Sequence, residues 1–541
     1  MSQSIQSGQP IGQRYGAHAV VDALVEHGVD TFFANPGTSE IHLVAALDAN
    51  PRARSVLCLF EGVATGAADG YARAAGRPAA VLLHLGPGLA NGLANLHNAS
   101  KANSPMVVIV GEHATAHLRH DTPLRSDLSA LAGYAAKAVY SLTPGDDLRA
   151  TIAAAVACAR QRPAGPVVVI ANADVMWAPA STSGVSPKGV ALTDAALASA
   201  APTGAELDTA SFDIVLQALG HGASTALVLG GDALLEPGLV LADRIAQVTG
   251  CQLFCETFNA RHERGAGVPS IERIPYFRET AVDRLAGFTH FVLAGSRPPV
   301  AFFASPGERS ELTPPGARLL RRPTGESPQA LLAAVAARLA DDRQVRRAAR
   351  RLAEPSGERL NARAIWAVIN RHLPAGAIVA DEAGVTSVGA DQALQGAERH
   401  LWLNLTGGSI GQGLPLATGA ALARPEATVL AVHGDGGALY TPQALWTQAR
   451  EQARVVNLIF RNDRYAILDH EVKRHGLAPL GERGAAMFEL ARPGIDWVKL
   501  AGALGMPAES VDGVAAFDAS LAAALRATGP VLIELRLGVQ R

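Results

Sequence analysis

The chain is short of cysteine, of aromatic rings and of net charge, and each shortage narrows what it can be. Only four cysteines occur, Cys58, Cys158, Cys251 and Cys255. That is too few for a fold stapled by disulfides. The pair in CQLFC lacks the further ligands a zinc site needs, so buried thiols are expected. Aromatic residues make up 5% of the chain, and the net charge is −2 with no long basic run. Nucleic acid and anionic membrane surfaces are therefore excluded as the main partners. No apolar run is long enough to cross a bilayer, and MSQSIQSGQPIGQRYG carries no apolar export core. The expectation is a soluble protein of the reducing cytoplasm. What the chain has in quantity is apolar residues, 48% against 18% charged. A large, ordered core follows. At roughly 150 residues per domain, the length suggests three or four domains.

Three blocks alternate strand-like and helix-like segments, the mark of parallel sheets covered by helices. The first, 10–180, contains TFFANPG, SVLCLF, AAVLLHLG, MVVIVG and GPVVVIA. A polar Ser/Thr/Ala/Pro-rich stretch, 181–208, reads as a linker. The second block, 209–343, contains TALVLGG, CQLFCE, HFVLAG and ARLLRR. Its LGGDALLEPG turn lacks the full dinucleotide fingerprint. The run DDRQVRRAARRLAEPSGERL reads as a charged surface helix leading to the third block, 358–541. That block contains AIVADE, LWLN, TVLAVHG, VVNLIF and VLIELRL.

The most informative segment is AVHGDGGALYTPQALWTQAREQARVVNLIFRNDRYAIL. One apolar strand breaks at Gly434-Asp435-Gly436-Gly437, a helix-like stretch follows, and a second strand breaks at Asn462. Parallel strands that end on one sheet edge bring their tips together. A carboxylate and an amide oxygen there are the hard donors Mg²⁺ prefers. The glycines let backbone approach a phosphate. The competing reading is a helix cap at Asp435 and an ordinary turn at Asn462.

This motif resembles the metal-diphosphate motif of thiamine diphosphate (ThDP) enzymes. GYARAAGRPA, LPLATGAALARP, ALWTQA, RPGIDW and GPVLIELRL extend the likeness almost end to end. The chain is similar to the ThDP-dependent 2-oxo-acid decarboxylase and acetohydroxyacid synthase superfamily, chiefly to benzoylformate decarboxylases and synthase large-subunit-like proteins. The resemblance implies three doubly wound α/β domains: pyrimidine-binding, central Rossmann-like and diphosphate-binding. It implies ThDP and Mg²⁺ as cofactors, with no flavin expected. The metal would be held by Asp435, Asn462 and the backbone carbonyl of Arg464, although Arg461 stands where the family has a first asparagine. Gly434, Gly436 and Gly437 would face the diphosphate, as would Gly384 and Val385 from a second loop. Gly408 and Ile410 would meet the aminopyrimidine, with Ile410 propping the cofactor in its bent form. Tyr465, Ala466 and Ile467 would line the cofactor and substrate side.

Glu61 falls where the family places the carboxyl that bonds N1′ of the aminopyrimidine. A thiazolium C2–H is too weak an acid for ordinary side chains, so the ring's own 4′-nitrogen must act as base, and Glu61 would control its tautomer. A helix N-terminal Glu favoured by the macrodipole is the competing reading. His84 falls at a catalytic His of benzoylformate decarboxylases, though its GPG turn is synthase-like. Thr38 matches a substrate-binding hydroxyl and would also make a good cap. Phe302 stands where those decarboxylases carry a second His. His113, His117 and His120 read as exposed loop residues. Glu471 and Leu124-Arg125 suggest a small or polar substrate.

The activity implied is decarboxylation of a 2-oxo acid, followed by aldehyde release or ligation to a second carbonyl compound. Acetolactate formation from two pyruvates is one alternative. A non-catalytic paralogue that binds ThDP is another, with Arg461 and Phe302 in its favour. The resemblance also implies a homodimer or homotetramer with active sites between subunits, acting on a small molecule.

Overall fold

The computed structural model describes residues 14–179, 189–191, 207–209, 211–322, 325–339 and 343–537. The chain divides into two compact units, 1–195 and 196–541.

The first unit is built on a seven-stranded sheet in the order Arg54–Leu57, Thr31–Asn35, Ala79–Leu83, Met106–Glu112, Pro166–Asn172, Ala138–Leu142, Gly189–Ala191. All neighbours are parallel except the last pair. The inner strands are continuous apolar runs because both sheet faces are covered. The chain leaves Thr31–Asn35 to one side and returns to the other, so the strand order reverses there. Asn35 pairs with Leu83 across that reversal. A crevice at the carboxyl ends of such strands is where α/β sheets place ligands.

The second unit contains two sheets. One is six-stranded and all parallel, in the order Glu272–Arg273, Gln252–Cys255, Thr225–Leu229, His290–Ala294, Arg318–Arg321, Leu207–Thr209. The other is seven-stranded, in the order His262–Arg264, His400–Asn404, Ala377–Glu382, Val429–Gly434, Val455–Arg461, Val531–Arg536, Ala508–Val511. It too reverses its order, between Ala377–Glu382 and Val429–Gly434, where Glu382 pairs with His433.

The α/β class and the three parallel sheets agree with the sequence expectation, but three details differ. Strand His262–Arg264 comes from the middle block yet pairs antiparallel with His400–Asn404 of the last block's sheet. The expected charged helix is not helical over 343–355. Its backbone instead bonds to its neighbours, with Ala348 N–H donating to Val268 O and Arg351 N–H to Gly396 O. Arg346 donates to Asp243, and Arg350 reaches Glu398 and Asn370. These contacts outweigh the helix propensity of Arg and Ala. Most of the expected linker, 181–188 and 192–206, lies outside the described residues. Its described parts, Gly189–Ala191 and Leu207–Thr209, are strands. Among the described residues no helix is long and apolar enough to cross a membrane. The four cysteines are free, and burial pushes the Cys255 thiol up to about 12.

The antiparallel seam makes the second unit acid-sensitive. His262 and His400 are buried in it, and burial together with Arg264 pushes both down to about 3. Between about 6.5 and 3 the unfolded chain binds protons on these rings that the folded chain does not, so stability falls as pH falls through that window. Denaturant unfolding at pH 7 and pH 4.5 is expected to show a loss of a few kcal/mol, on the order of 1.4 kcal/mol per pH unit per ring at most. His400→Gln should shrink that difference, and equal pH dependence in this variant would exclude His400 as its source.

Candidate active site

Glu61 opens helix Glu61–Ala75, which is buried along almost its whole length. Small residues allow that burial, since this helix packs against helix Leu85–Lys101 at Gly92, where Thr65 Oγ1 donates to Gly92 O at 3.0 Å. Glu61 is 9% exposed, and Asn91 Nδ2 donates to its Oε2 at 3.0 Å.

His84 ends the sheet-edge turn before the second helix. The residue after it, Leu85, is buried with φ +52, a left-handed conformation that non-glycine residues rarely adopt. Such strain gathers at functional sites. A β-carbon placed on Gly88 would lie 3.5 Å from both Glu61 Oε1 and His84 Cβ, so the two side chains flank one point.

Behind His84 lies a group the sequence did not suggest. Glu40 is fully buried, and its Oε2 is 2.7 Å from His84 Nδ1. Gly37 N–H donates to the same oxygen at 2.9 Å, and Ser39 Oγ donates to Oε1 at 2.5 Å. A β-carbon on Gly111 would overlap this carboxylate, and one on Gly37 would overlap the imidazole. With Nδ1–H donating to Glu40, Nε2 is left as the acceptor. Ser39 Oγ is also 3.1 Å from His84 Nδ1. The hydroxyl beside His84 is therefore Ser39, whereas Thr38 is exposed at the start of the 3-10 turn. A motif reader could find Glu40 only as a carboxylate soon after a sheet-edge NPG turn, and nothing local marks it.

In the second unit Asp435 follows strand Val429–Gly434 and is 2% exposed. Burial pushes its carboxyl up to about 6, against the pull of N–H bonds from Asp463 at 2.9 Å and Gly436 at 3.0 Å. Asn462 Oδ1 accepts from Arg464 N–H at 3.1 Å, and Asp463 is left-handed at φ +55. Arg461 does not compete for this place: it bonds Asp463 at 2.6 Å and Glu534 at 2.9 Å. Arg464 is paired with Asp469. Tyr465 precedes helix Ala466–Arg474, and its ring would collide with a β-carbon on Gly436.

The loop 405–412 is held from several sides. Gly411 and Gly413 N–H groups donate to Glu382 at 2.6 and 2.7 Å. Thr441 Oγ1 donates to Gly411 O at 2.7 Å. Gly408 and Gly411 have φ +75 and +92, and their missing side chains admit Phe302 and Tyr440. Ile410 is half-buried between them. His433 is buried 3.2 Å from Glu382, a contact without good hydrogen-bond alignment. Burial opposes charge on His433, but Glu382 beside it carries the net shift upward. Gly384 has φ +58 in the turn that also holds Val385, and Asp381 beneath accepts from Ser387 at 2.5 Å.

The donors suit a metal diphosphate. Asp435 is a buried carboxylate without a cationic side chain on it, Asn462 supplies a neutral oxygen, and Gly436 and Gly437 have no room for a β-carbon. Among the described residues no group of three or more His, Cys, Asp or Glu forms a metal cage. A single-carboxylate site of this kind leaves most of the Mg²⁺ shell to phosphate oxygens. His113, His117 and His120 lie with rings 5.2 and 5.5 Å apart in a loop, and Thr122 bonds His113.

One switch-point crevice thus carries a buried carboxyl, Glu61, and the other a buried carboxylate, Asp435, beside glycines and Asn462. Family comparison gives the class. Residues 14–131 match the thiamine pyrophosphate enzyme N-terminal TPP binding domain, and 382–535 match the C-terminal TPP binding domain. IlvX, a candidate acetolactate synthase large subunit of Mycobacterium tuberculosis, is 46% identical over 524 residues, 96% of this chain and 98% of its own. Benzoylformate decarboxylase of Pseudomonas aeruginosa is 28% identical over 550 residues, 96% and 98% of the two chains. The solved ThDP-dependent 4-hydroxybenzoylformate decarboxylase of Rhodococcus jostii superposes with a TM-score of 0.79 at 25% identity, covering 97% of this chain and 99% of its own. The chain belongs to the thiamine pyrophosphate enzyme family.

Proposed function

We propose that the protein uses ThDP and Mg²⁺ to decarboxylate a 2-oxo acid and release an aldehyde. The observation that carries this reading is His84, set on a strained turn, backed by the buried Glu40 and flanking one point with Glu61. Asp435 and Asn462, with the Arg464 carbonyl, hold Mg²⁺, and the glycines at 434, 436 and 437 receive the diphosphate. Gly384 and Val385 add contacts from the second loop, while Tyr465, Ala466 and Ile467 line the cofactor. Bound there, the thiazolium ring supplies the electron sink that a departing carbon dioxide requires. Glu61 holds the proton at N1′. Ile410 would pack against the cofactor from the loop that Glu382 pins. His84, once protonated from solvent on Nε2, donates to the substrate carboxylate and then passes that proton to the carbon from which carbon dioxide has left. Ser39, rather than Thr38, keeps His84 in place.

Exposed apolar residues flank both half-sites: Ile41 and Leu59 in the first unit, Leu439 and Tyr440 in the second. They support assembly as a dimer or tetramer, with one subunit's Glu61 serving another's Asp435.

The 46% identity to IlvX favours a second reading, acetolactate formation. The test is a panel of 2-oxo acids with added ThDP and Mg²⁺, scored for carbon dioxide, aldehyde and ligated product. Carbon dioxide with stoichiometric aldehyde is expected. Acetolactate from pyruvate without aldehyde would replace the first reading by the second, and no carbon dioxide from any acid would defeat both.

A further inference from the structure

Arg461 stands one residue before the proposed metal ligand Asn462, where the resemblance called for a first asparagine. On sequence alone that departure favours a degenerate site. The structure gives it partners instead. Arg461 closes strand Val455–Arg461, and its side chain is 20% exposed. Its Nε donates to Asp463 Oδ1 at 2.6 Å, and Nη1 donates to Glu534 Oε1 at 2.9 Å. Glu534 is buried in the adjoining strand Val531–Arg536, its side chain 5% exposed. The planar guanidinium thus spans two carboxylates, one fixed in the sheet and one in the metal loop. Gly494 leaves room for it, since a β-carbon there would lie 2.8 Å from Nη2.

The loop carboxylate it grips belongs to a strained residue. Asp463 has φ +55 and lies between Asn462 and Arg464, the residues proposed to offer oxygens to Mg²⁺ beside Asp435. Backbone torsions at Asp463 therefore set where those two oxygens lie relative to each other. An aspartate left to itself prefers negative φ, so the turn persists only where its surroundings hold it. Asp463 N–H donates to Asp435 Oδ2 at 2.9 Å, and Leu490 N–H donates to Asp463 O at 2.8 Å. Tyr465 N–H bonds Phe488 O at 2.9 Å, and Arg464 bridges antiparallel to Glu489, so the segment 488–490 backs the loop. The remaining hold is the Arg461 clamp. An asparagine side chain is too short to span both carboxylates.

We infer that Arg461 is a positioning residue for Mg²⁺: by clamping Asp463 to Glu534 it keeps the Asn462–Arg464 turn in its liganding shape before the cation arrives. The inference rests on the Mg²⁺–ThDP reading of Asp435 and Asn462. A site shaped in advance binds more tightly because less ordering remains to be done on binding. Charge alone argues the other way, since a guanidinium repels a nearby cation. The sign of the effect therefore separates the two.

The test titrates Mn²⁺, a paramagnetic stand-in for Mg²⁺, into the protein with saturating ThDP and follows loss of the free Mn²⁺ EPR signal. The native chain is compared with Arg461→Asn, Arg461→Lys, Asp463→Asn and the double variant R461N/D463N. Arg461→Asn should weaken Mn²⁺ binding about ten- to a hundredfold, the range for residues that orient a metal ligand. Arg461→Lys keeps the charge but grips one carboxylate, so it should fall between. The double variant should be no weaker than Arg461→Asn, because both changes break one contact. The Mg²⁺ concentration for half-maximal activity should rise in step with the Mn²⁺ Kd, while kcat at saturating Mg²⁺ stays within about threefold. Equal or tighter Mn²⁺ binding in Arg461→Asn overturns the inference and leaves the Mg²⁺–ThDP reading standing. Losses that add in the double variant also overturn it, and assign Arg461 to holding the strand through Glu534. If thermal unfolding without cofactor shows that Arg461→Asn does not fold, Arg461→Lys decides, since its net charge is unchanged: weaker Mn²⁺ binding supports the clamp, and native affinity overturns it. A native chain that takes up no Mn²⁺ with ThDP overturns the metal reading and the inference together.

Discussion

Glu61→Gln should lower kcat by about 10²–10⁴-fold, the range in which a positioned acid–base group contributes. The substitution keeps length and polarity, and Gln can still accept from Asn91. The helix packing that surrounds position 61 rests on Gly62, Thr65 and Gly92 rather than on its charge. Stability should therefore change little. What Gln lacks is a proton that can be shared with a ring nitrogen. The decisive readout is exchange of the cofactor's C2 proton in deuterated water, followed by NMR. It should slow along with kcat, while ThDP affinity falls less. An exchange rate equal to that of the native protein would remove Glu61 from the proton relay, whatever happened to turnover.

Asp435→Asn should separate stability from function. In the folded chain without cation, Asp435 is pushed up to about 6 by burial, above the ordinary carboxylate value of 3.8. Protonation is favoured in the folded state, so ionisation of this group erodes stability as pH rises from about 4 through 6. Asn removes that cost and keeps one oxygen, enough for the Asp463 N–H, while the Gly436 N–H, which bonds the other carboxylate oxygen, loses its acceptor. The relief of the buried charge offsets that lost bond, so the cofactor-free variant should be about as stable as the native chain at pH 8. With ThDP and Mg²⁺ the native chain should become the more stable. A ligand present at a hundred times its Kd stabilises by about 2.7 kcal/mol, and the variant should lose most of that gain. Thermal unfolding with and without the cofactor pair measures both halves. A native-sized shift in the variant would rule out Asp435 as the anchor. Such a trade, stability given up for a charged site, is common where function needs an unfavourable group.

The class of fold was legible because it depends on patterns within short stretches. Continuous apolar runs such as VVVIA and VLLHLG, separated by Ala-rich helices, can be satisfied only by sheets covered on both faces. GDGG and the following Asn were legible for a related reason. Adjacent parallel strands end on one edge, so residues at their tips converge without any knowledge of side-chain packing. The charged stretch at 343–355 was misread because its propensity is helical while its partners, Asp243, Val268, Gly396 and Glu398, lie far away in sequence. Propensity is a weak prior against such contacts.

By itself, the sequence determined the α/β class and the family, and it singled out Glu61, Asp435, Asn462 and Ile410 as candidates, since each sits in a local motif whose spacing survives without three-dimensional context. The tertiary structure alone decided what surrounds them. It put Glu40 behind His84, chose Ser39 over Thr38, closed Glu382 onto the Ile410 loop, and turned Glu471 toward Arg474. Each of these depends on side-chain direction or on residues brought together from distant parts of the chain, and one-dimensional spacing carries neither.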